Sequence, residues 1–478
     1  MNKEPKSTRR EFMKESALVA GAGFLVPGAL PAGEANAGKP VAGSASAASA
    51  DGVHFHQSGF GPNPEGWSAW SVRPECAPRT FVDPVISSSG TGSLGVSGDG
   101  NMAAFGGWQR TLKGIKEGTW YRFVAHYRTS GVISENWQIV PDLYWQKPAG
   151  TEIGNDDRVD YAARSVRKGS WTEVSLEVPA PAGATYVVLE LFLAHAPMGI
   201  VWWDDISFDE IPAPQPRQVT IATINLKPSN TGTVTESVRQ FIEAAERLAP
   251  PHTDLIVLPE GISVVGVDPS GLICGQVAEP IPGPSTALLG ELARAKHCYV
   301  AAGLYERERG ASYNTAVLID RDGKLVGRYR KVFLPRGEMV QLTPGNEFPV
   351  FHTDFGTVGM MICYDVYYTE PARQLAQRGA EIILLPIWGG DEVLATARAI
   401  ENQVFLVTSG YDHPTYIMDY NGKRIAQAPE RGTAAVATID LNAPNFYQGT
   451  SDWRDRRLRE YRPEIVRDFL YSGGKTEK

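Results

Sequence analysis

Between Val219 and Gly410, short apolar runs alternate with amphipathic stretches. VTIATINL (219–226), DLIVLPE (254–260), CYVAAGLYER (298–307), VGMMIC (358–363), EIILLP (381–386) and VFLVTSG (404–410) have the length and composition of buried strands. TESVRQFIEAAERLA (235–249) instead repeats with helical spacing, which puts Val238, Phe241, Ile242, Ala245, Leu248 and Ala249 on one face. STALLGELARAK (285–296), PARQLAQRGA (371–380) and DEVLATARAIENQ (391–403) predict three further helices, and TAVLIDRDGKLVGRYRK (315–331) predicts a hairpin turning at Asp322-Gly323. Strands that alternate with helices predict an α/β layered domain over residues 219–441, followed by a tail at 442–478.

The first half is patterned differently. TWYRFVAHYRTSG (119–131), SWTEVSLEVPA (170–180), ATYVVLELFLA (184–194) and GIVWWDDISFDEI (199–211) are short aromatic and β-branched runs with weak helical periodicity, separated by Gly, Pro, Asn and Ser clusters. That pattern predicts an antiparallel sandwich or barrel over 53–211. Residues 212–218 carry prolines at alternate positions, which favours a stiff extended linker.

Composition narrows the function classes. The chain has 478 residues, 42% hydrophobic and 21% charged, which is ample for two domains with their own cores. A net charge of -8 argues against nucleic acid as the main partner. The four cysteines, Cys76, Cys274, Cys298 and Cys363, are too few and scattered for a disulfide framework, and none has zinc-ligand spacing. At the N-terminus a charged head with Arg9-Arg10, an apolar run from Ala17 to Leu30 and Ala35-Asn36-Ala37 make an export signal over 1–37. The paired arginines, with Phe12 and Lys14 after them, resemble the twin-arginine signal. The run is too short for a membrane span, and residues 38–52 form a low-complexity leader. The expected location is therefore periplasmic or secreted.

Three apolar segments of the second half end in a reactive residue: Glu260 after DLIVLP, Lys331 after KLVGRYR, and Cys363 after VGMMI. In layered α/β sheets ligands bind outside the carboxyl ends of the strands, so these three can meet at one rim. Each alone reads as a surface carboxylate, a surface lysine or a buried thiol. Together they read as a base for the thiol, a nucleophile, and a cation that stabilises an oxyanion with a backbone N–H near the cysteine, that of Tyr364. A Cys–His protease also needs a thiol, but none of the eight histidines sits in a matching signature. His352 and His413 read as loop or edge residues, and the lone pair His54 and His56 makes no metal site.

Five segments carry a resemblance to the nitrilase superfamily of carbon–nitrogen hydrolases. They are LPE (258–260), YNTAVLIDRDGKLVGRYRKVFLP (313–335), ICYD with the following EP (362–371), GAEIILLP (379–386) and RAIENQ (398–403). The resemblance implies a four-layer αββα sandwich, a catalytic Glu260–Lys331–Cys363 triad, and no cofactor or metal. It implies Glu338 as the second glutamate, ahead of Thr343-Pro344-Gly345, in preference to Glu347. It further implies a homodimer packed through helices, with YRPEI (461–465) as an extension towards the partner. Tyr364-Asp365 after the cysteine, where true nitrilases tend to carry Trp-Glu, leans towards an amidase or carbamoylase. In the first half, GSLGVSGDGNMAAFGGWQRTL (92–112) and VWWDDISFDEI (201–211) are similar to the jelly roll of carbohydrate-binding modules. That similarity makes Trp108, Trp120, Trp145 and Trp202 candidates to stack on a glycan, and Asp204 and Asp205 candidates for a structural Ca²⁺.

The expected function is an exported hydrolase of amide or N-carbamoyl groups through a thioester. A nitrilase or acyltransferase using the same triad, and a glycan-binding protein with an inactive hydrolase domain, remain as alternatives.

Overall fold

The computed structural model describes residues 52–147, 158–229, 231–268, 276–446 and 452–462. The export signal, nearly all of the leader, Cys274 and the last three residues of YRPEI lie outside them.

Residues 54–211 form two antiparallel sheets packed face to face. The seven-stranded sheet is built on the long strands Trp120–Ser130 and Ile200–Ile211, the five-stranded sheet on Tyr186–Ala194. Period-two alternation decides the faces. In Trp120–Ser130, Tyr121, Phe123, Ala125 and Tyr127 are buried while Arg122 and Arg128 point out. They pack on Leu143, Trp145, Leu189 and Leu191 of the other sheet to make one core.

This core shows where the candidate sugar-stacking and Ca²⁺ residues lie. Trp108, Trp145 and Trp202 are buried, with their indole N–H groups donated to Gly95 O, Asp160 Oδ2 and Asp83 Oδ2. They fill and brace the sandwich and offer no face to a sugar; Trp120 is half-buried. Asp204 is fully buried and spends both oxygens on four backbone N–H groups: Gly59 and Asp205 on Oδ1, Ser88 and Ser89 on Oδ2. Asp205 accepts from the Ser89 hydroxyl. These carboxylates tie loops to the sheet.

Residues 218–440 fold as two six-stranded sheets with helices outside. The first has the order β5-β4-β3-β2-β1-β12, with β1 Gln218–Asn225, β2 Leu255–Val257, β3 Tyr299–Glu308, β4 Ala311–Ile319, β5 Leu325–Arg330 and β12 Thr433–Asp440. The second runs β6 to β11 in sequence: Val350–His352, Thr357–Met360, Ile382–Ile387, Phe405–Gly410, Tyr416–Met418 and Arg424–Gln427. β1, β2 and β3 are mutually parallel, as are β7, β8 and β9. Helices α1 (Val234–Leu248) and α2 (Pro284–Lys296) cover the first sheet, and α3 (Glu370–Gln377) and α4 (Glu392–Asn402) the second. The layers are α, β, β, α, as the resemblance implies.

The predicted face of α1 holds: Val238, Phe241, Ala245 and Ala249 are buried and Ile242 and Leu248 half-buried. Its start is capped by Thr233 Oγ1, which accepts from Glu236 N. Between the sheets, Thr223 Oγ1 donates to Thr408 O and Ser409 Oγ to Ile224 O, fixing β1 against β9.

A last helix, α5 (Trp453–Glu460), packs on the strand Val159–Tyr161 and the turn Glu135–Gln138 of the sandwich, and Arg457 Nη2 donates to Ala376 O at the end of α3. The two halves are thus joined by this tail as well as by the proline-rich linker. Among the described residues, no helix is long and apolar enough to cross a membrane.

Asp204→Ala tests the loop-anchor reading. Losing one buried acceptor for four amides should cost about 3 kcal/mol, given roughly 1–3 kcal/mol for each buried group left unpaired. Urea unfolding followed by tryptophan fluorescence measures it.

Candidate active site

The carboxyl ends of the parallel strands of both sheets face one rim, and the three reactive residues meet there. Glu260 lies three residues beyond β2, Lys331 directly follows β5, and Cys363 opens a 3₁₀ turn (Cys363–Tyr367) just past β7. Lys331 is 1% exposed and its Nζ lies 3.0 Å from Glu260 Oε1 and 2.9 Å from both oxygens of Glu338. Burial alone pulls a lysine towards neutrality, but Glu260, Cys363 and Glu338 outweigh it and hold this one protonated. Glu338 sits on the one-turn helix Arg336–Met339, and burial holds its carboxyl above the usual range against the pull of Lys331.

Glu260 is 1% exposed and its oxygens are fixed by three donors: Lys331 Nζ and Asn314 Nδ2 (2.7 Å) on Oε1, and Trp388 N (2.8 Å) on Oε2. Tyr411 Oη donates to its carbonyl, 2.7 Å. A side chain at Gly303 would not fit, since a Cβ there would sit 2.6 Å from Glu260 Cα. This glycine lets β3 pass close beneath the carboxylate.

Cys363 is half-buried, with φ of 42°, a left-handed conformation that costs a non-glycine residue of order 1–3 kcal/mol. Asp365 holds the turn: Oδ2 accepts from Ile362 N (2.8 Å) and Tyr329 Oη (2.7 Å), and Oδ1 from Phe333 N (3.0 Å). Burial pushes the Asp365 carboxyl up to about 6, opposed by those two amides, so it still accepts as a carboxylate at neutral pH. Arg398 Nε ties down the Val366 carbonyl of the same turn. The thiol donates to Gly389 O, 3.1 Å. Burial, then the Glu260 charge, pushes it up to about 12, with Lys331 pulling the other way. The resting thiol is therefore protonated, and attack requires a base beside it.

All four side chains named from the sequence are thus in this cluster. Asn314, Tyr329, Trp388, Gly389, Arg398 and Tyr411 were not singled out. The rim rule flags Trp388 and Tyr411, each the first residue past a parallel strand; Asn314 lies inside β4 and carries no such signal. Cys298 is buried elsewhere, behind α2, and His413 is a buried loop residue bonded to Pro414 O. No group of three metal-ligating side chains is present among the described residues.

A layered α/β fold with a carboxylate, an ammonium and a thiol at one rim defines a class of thiol-dependent hydrolase. The chain belongs to the carbon–nitrogen hydrolase family, whose model matches residues 218–445, and it is an enzyme acting on non-peptide C–N bonds. A citrullinase of Francisella tularensis is 33% identical over 221 residues, 39% of this chain and 76% of its own. The omega-amidase NIT2 of Bos taurus is 33% identical over 211 residues, 37% and 76% of the two chains. A probable nitrilase of Schizosaccharomyces pombe is 36% identical over 216 residues, 40% and 77% of the two chains.

The electrostatics predict opposite responses of Cys363 to its two neighbours. Glu260→Gln removes the charge that raises the thiol, and Lys331→Ala removes the charge that lowers it. Alkylation of Cys363 by iodoacetamide at pH 8.5 should be faster than wild type in the first variant and slower in the second. Equal rates would mean that the three groups do not sense one another.

Proposed function

We propose that this protein hydrolyses an amide or N-carbamoyl group through a thioester on Cys363. The observation that carries the reading is the Glu260 carboxylate, locked by three donors next to a thiol that needs deprotonation. Glu260 takes the thiol proton as Sγ attacks the substrate carbon. Lys331 Nζ and the Tyr364 backbone N–H stabilise the oxyanion. As the C–N bond breaks, Glu260 passes that proton to the departing ammonia or amine. It then takes a proton from water, whose oxygen attacks the thioester carbonyl, and the acid leaves as Cys363 recovers its proton. Glu338 holds Lys331 in line. Two of the three relatives named above, a citrullinase and an omega-amidase, support the amide side, and the third is named a probable nitrilase.

Cys363→Ala should abolish turnover with the fold intact. Glu260→Gln should lose about 10²–10⁴-fold, the range for general acid–base catalysis, and Lys331→Ala about 10²–10³-fold, that for an oxyanion donor. Ammonia release over a panel of amides, N-carbamoyl compounds and nitriles identifies the substrate class. Mass spectrometry with a slow substrate should find the acyl group on Cys363; an adduct elsewhere, or near wild-type rate without the thiol, sinks the mechanism.

The second part of the proposal is place and assembly: export by the twin-arginine route, and a homodimer. Arg9 and Arg10 motivate the route. Changing both to Lys should leave precursor in the cytoplasm by cell fractionation, and normal amounts of mature protein outside the inner membrane would exclude the route.

A further inference from the structure

A cleft of about 1050 Å³ lies away from Cys363, where the β-sandwich, α3 and α5 meet. Its floor is apolar and aromatic, with Ile139, Tyr161, Val174 and Trp453. Six arginines line it, and three of them carry the argument: Arg373 of α3, and Arg456 and Arg457 of α5. Among the described residues none of the three pairs with a carboxylate. Arg456 lies over the Trp453 ring, and the one hydrogen bond of Arg457 is a long one to Ala376 O, 3.4 Å. Arg457 Nε is buried without a partner. Burial and the charge of Arg373 push the Arg457 guanidinium down to about 10, so two like charges oppose each other across a poorly solvated space.

The acidic residues nearby do not relieve this. Glu135 accepts from Tyr127 and Thr129, Glu401 pairs with Arg398, and Glu460 pairs with Arg459. Glu370 stands in the exposed first turn of α3, beside Thr369. Another arginine of α5 shows what satisfaction looks like here. Arg454 binds Asp452 and the carbonyls of Leu441 and Ala443, whereas Arg459 pairs with Glu460 over the Tyr161 ring but leaves its own Nε buried without a partner.

We infer that this cavity is a binding site for a small organic oxyanion, whose carboxylate or phosphate group bridges Arg373 and Arg457 while its apolar body rests on Tyr161 and Trp453. Guanidinium groups bind such oxygens in bidentate fashion, and one shared anion removes the repulsion between the pair. The volume exceeds what an inorganic ion needs and is of the size that takes a drug-sized molecule, about 300–1,000 Å³. The walls come from this chain's own sandwich and tail, so the site is separate from the triad and does not depend on the reaction proposed above.

The test uses full-length protein with citrate and inorganic phosphate as probes. At low ionic strength at least one of them should bind saturably by calorimetry and raise the melting temperature. The Arg373→Gln/Arg457→Gln double variant should bind at least tenfold more weakly and keep wild-type turnover of a small amide. Saturable binding by neither probe, or equal affinity in the double variant, overturns the inference. So does a variant whose only change is in oligomeric state by light scattering, because this face would then seat a second copy of the chain.

Discussion

A fully buried ammonium governs the catalytic half of this molecule. Taking a lysine out of water costs several kcal/mol unless opposite charge and hydrogen bonds replace the lost hydration. Lys331 meets that demand with Glu260 and Glu338, each within 3.0 Å. The demand then propagates. Glu260 is itself buried, so its remaining lone pairs must be filled, and Asn314 Nδ2 and Trp388 N fill them. Three distant stretches of chain, 259–261, 331–338 and 388–389, are placed by one charge. Removing either carboxylate would leave a buried cation short of compensation, which is why these groups stand or fall together.

Two carboxylates around one ammonium leave a local excess of negative charge, and that excess sets the style of the chemistry. In a Cys–His⁺ pair the cation lowers the thiol and a thiolate preexists. Here the nearest carboxylate raises it, on top of burial, and the thiol rests protonated. In the mechanism proposed above, proton removal and carbon–sulfur bond formation are linked at Glu260. The benefit is that Glu260 regains the same protonation state after each half-reaction.

Much of this was legible in the sequence. Each of the six strands starts within one residue of its apolar run, because fully buried parallel strands must be apolar on both faces, but β2 and β7 stop three residues short of Glu260 and Cys363. Glu260, Lys331 and Cys363 stand out because they interrupt that rule at the rim. Edge strands were harder to see. Val350–His352 is three residues long, and Arg424–Gln427 exposes three of its four residues, so neither has a periodic signature. The same cause hid α5, whose arginine-rich sequence lacks an apolar stripe because its contacts run through guanidinium groups and aromatic rings. The tryptophans of the sandwich were ambiguous for a different reason. An indole suits a sugar platform and a β-sandwich core equally well in composition, and burial, a tertiary property, separates the two.

The two sheets share the site, and this explains why the residues outside the triad matter. Glu260 and Lys331 belong to the first sheet and Cys363 to the second. Three sets of bonds hold the halves in register at the rim. Asp365, on the cysteine turn, takes the Tyr329 hydroxyl and Phe333 N–H from either side of Lys331. Trp388 N, past β8, grips Glu260, and Tyr411, past β9, grips its carbonyl. Thr223 and Ser409 pin β1 to β9 deeper in the core. Movement of one sheet over the other would separate Cys363 from Glu260 and Lys331, so the packed interface between the sheets acts as the jig for the site. The left-handed strain at Cys363 is sustained by the same bonds, since a turn free of Asp365 would relax towards ordinary backbone and turn the thiol away from its base.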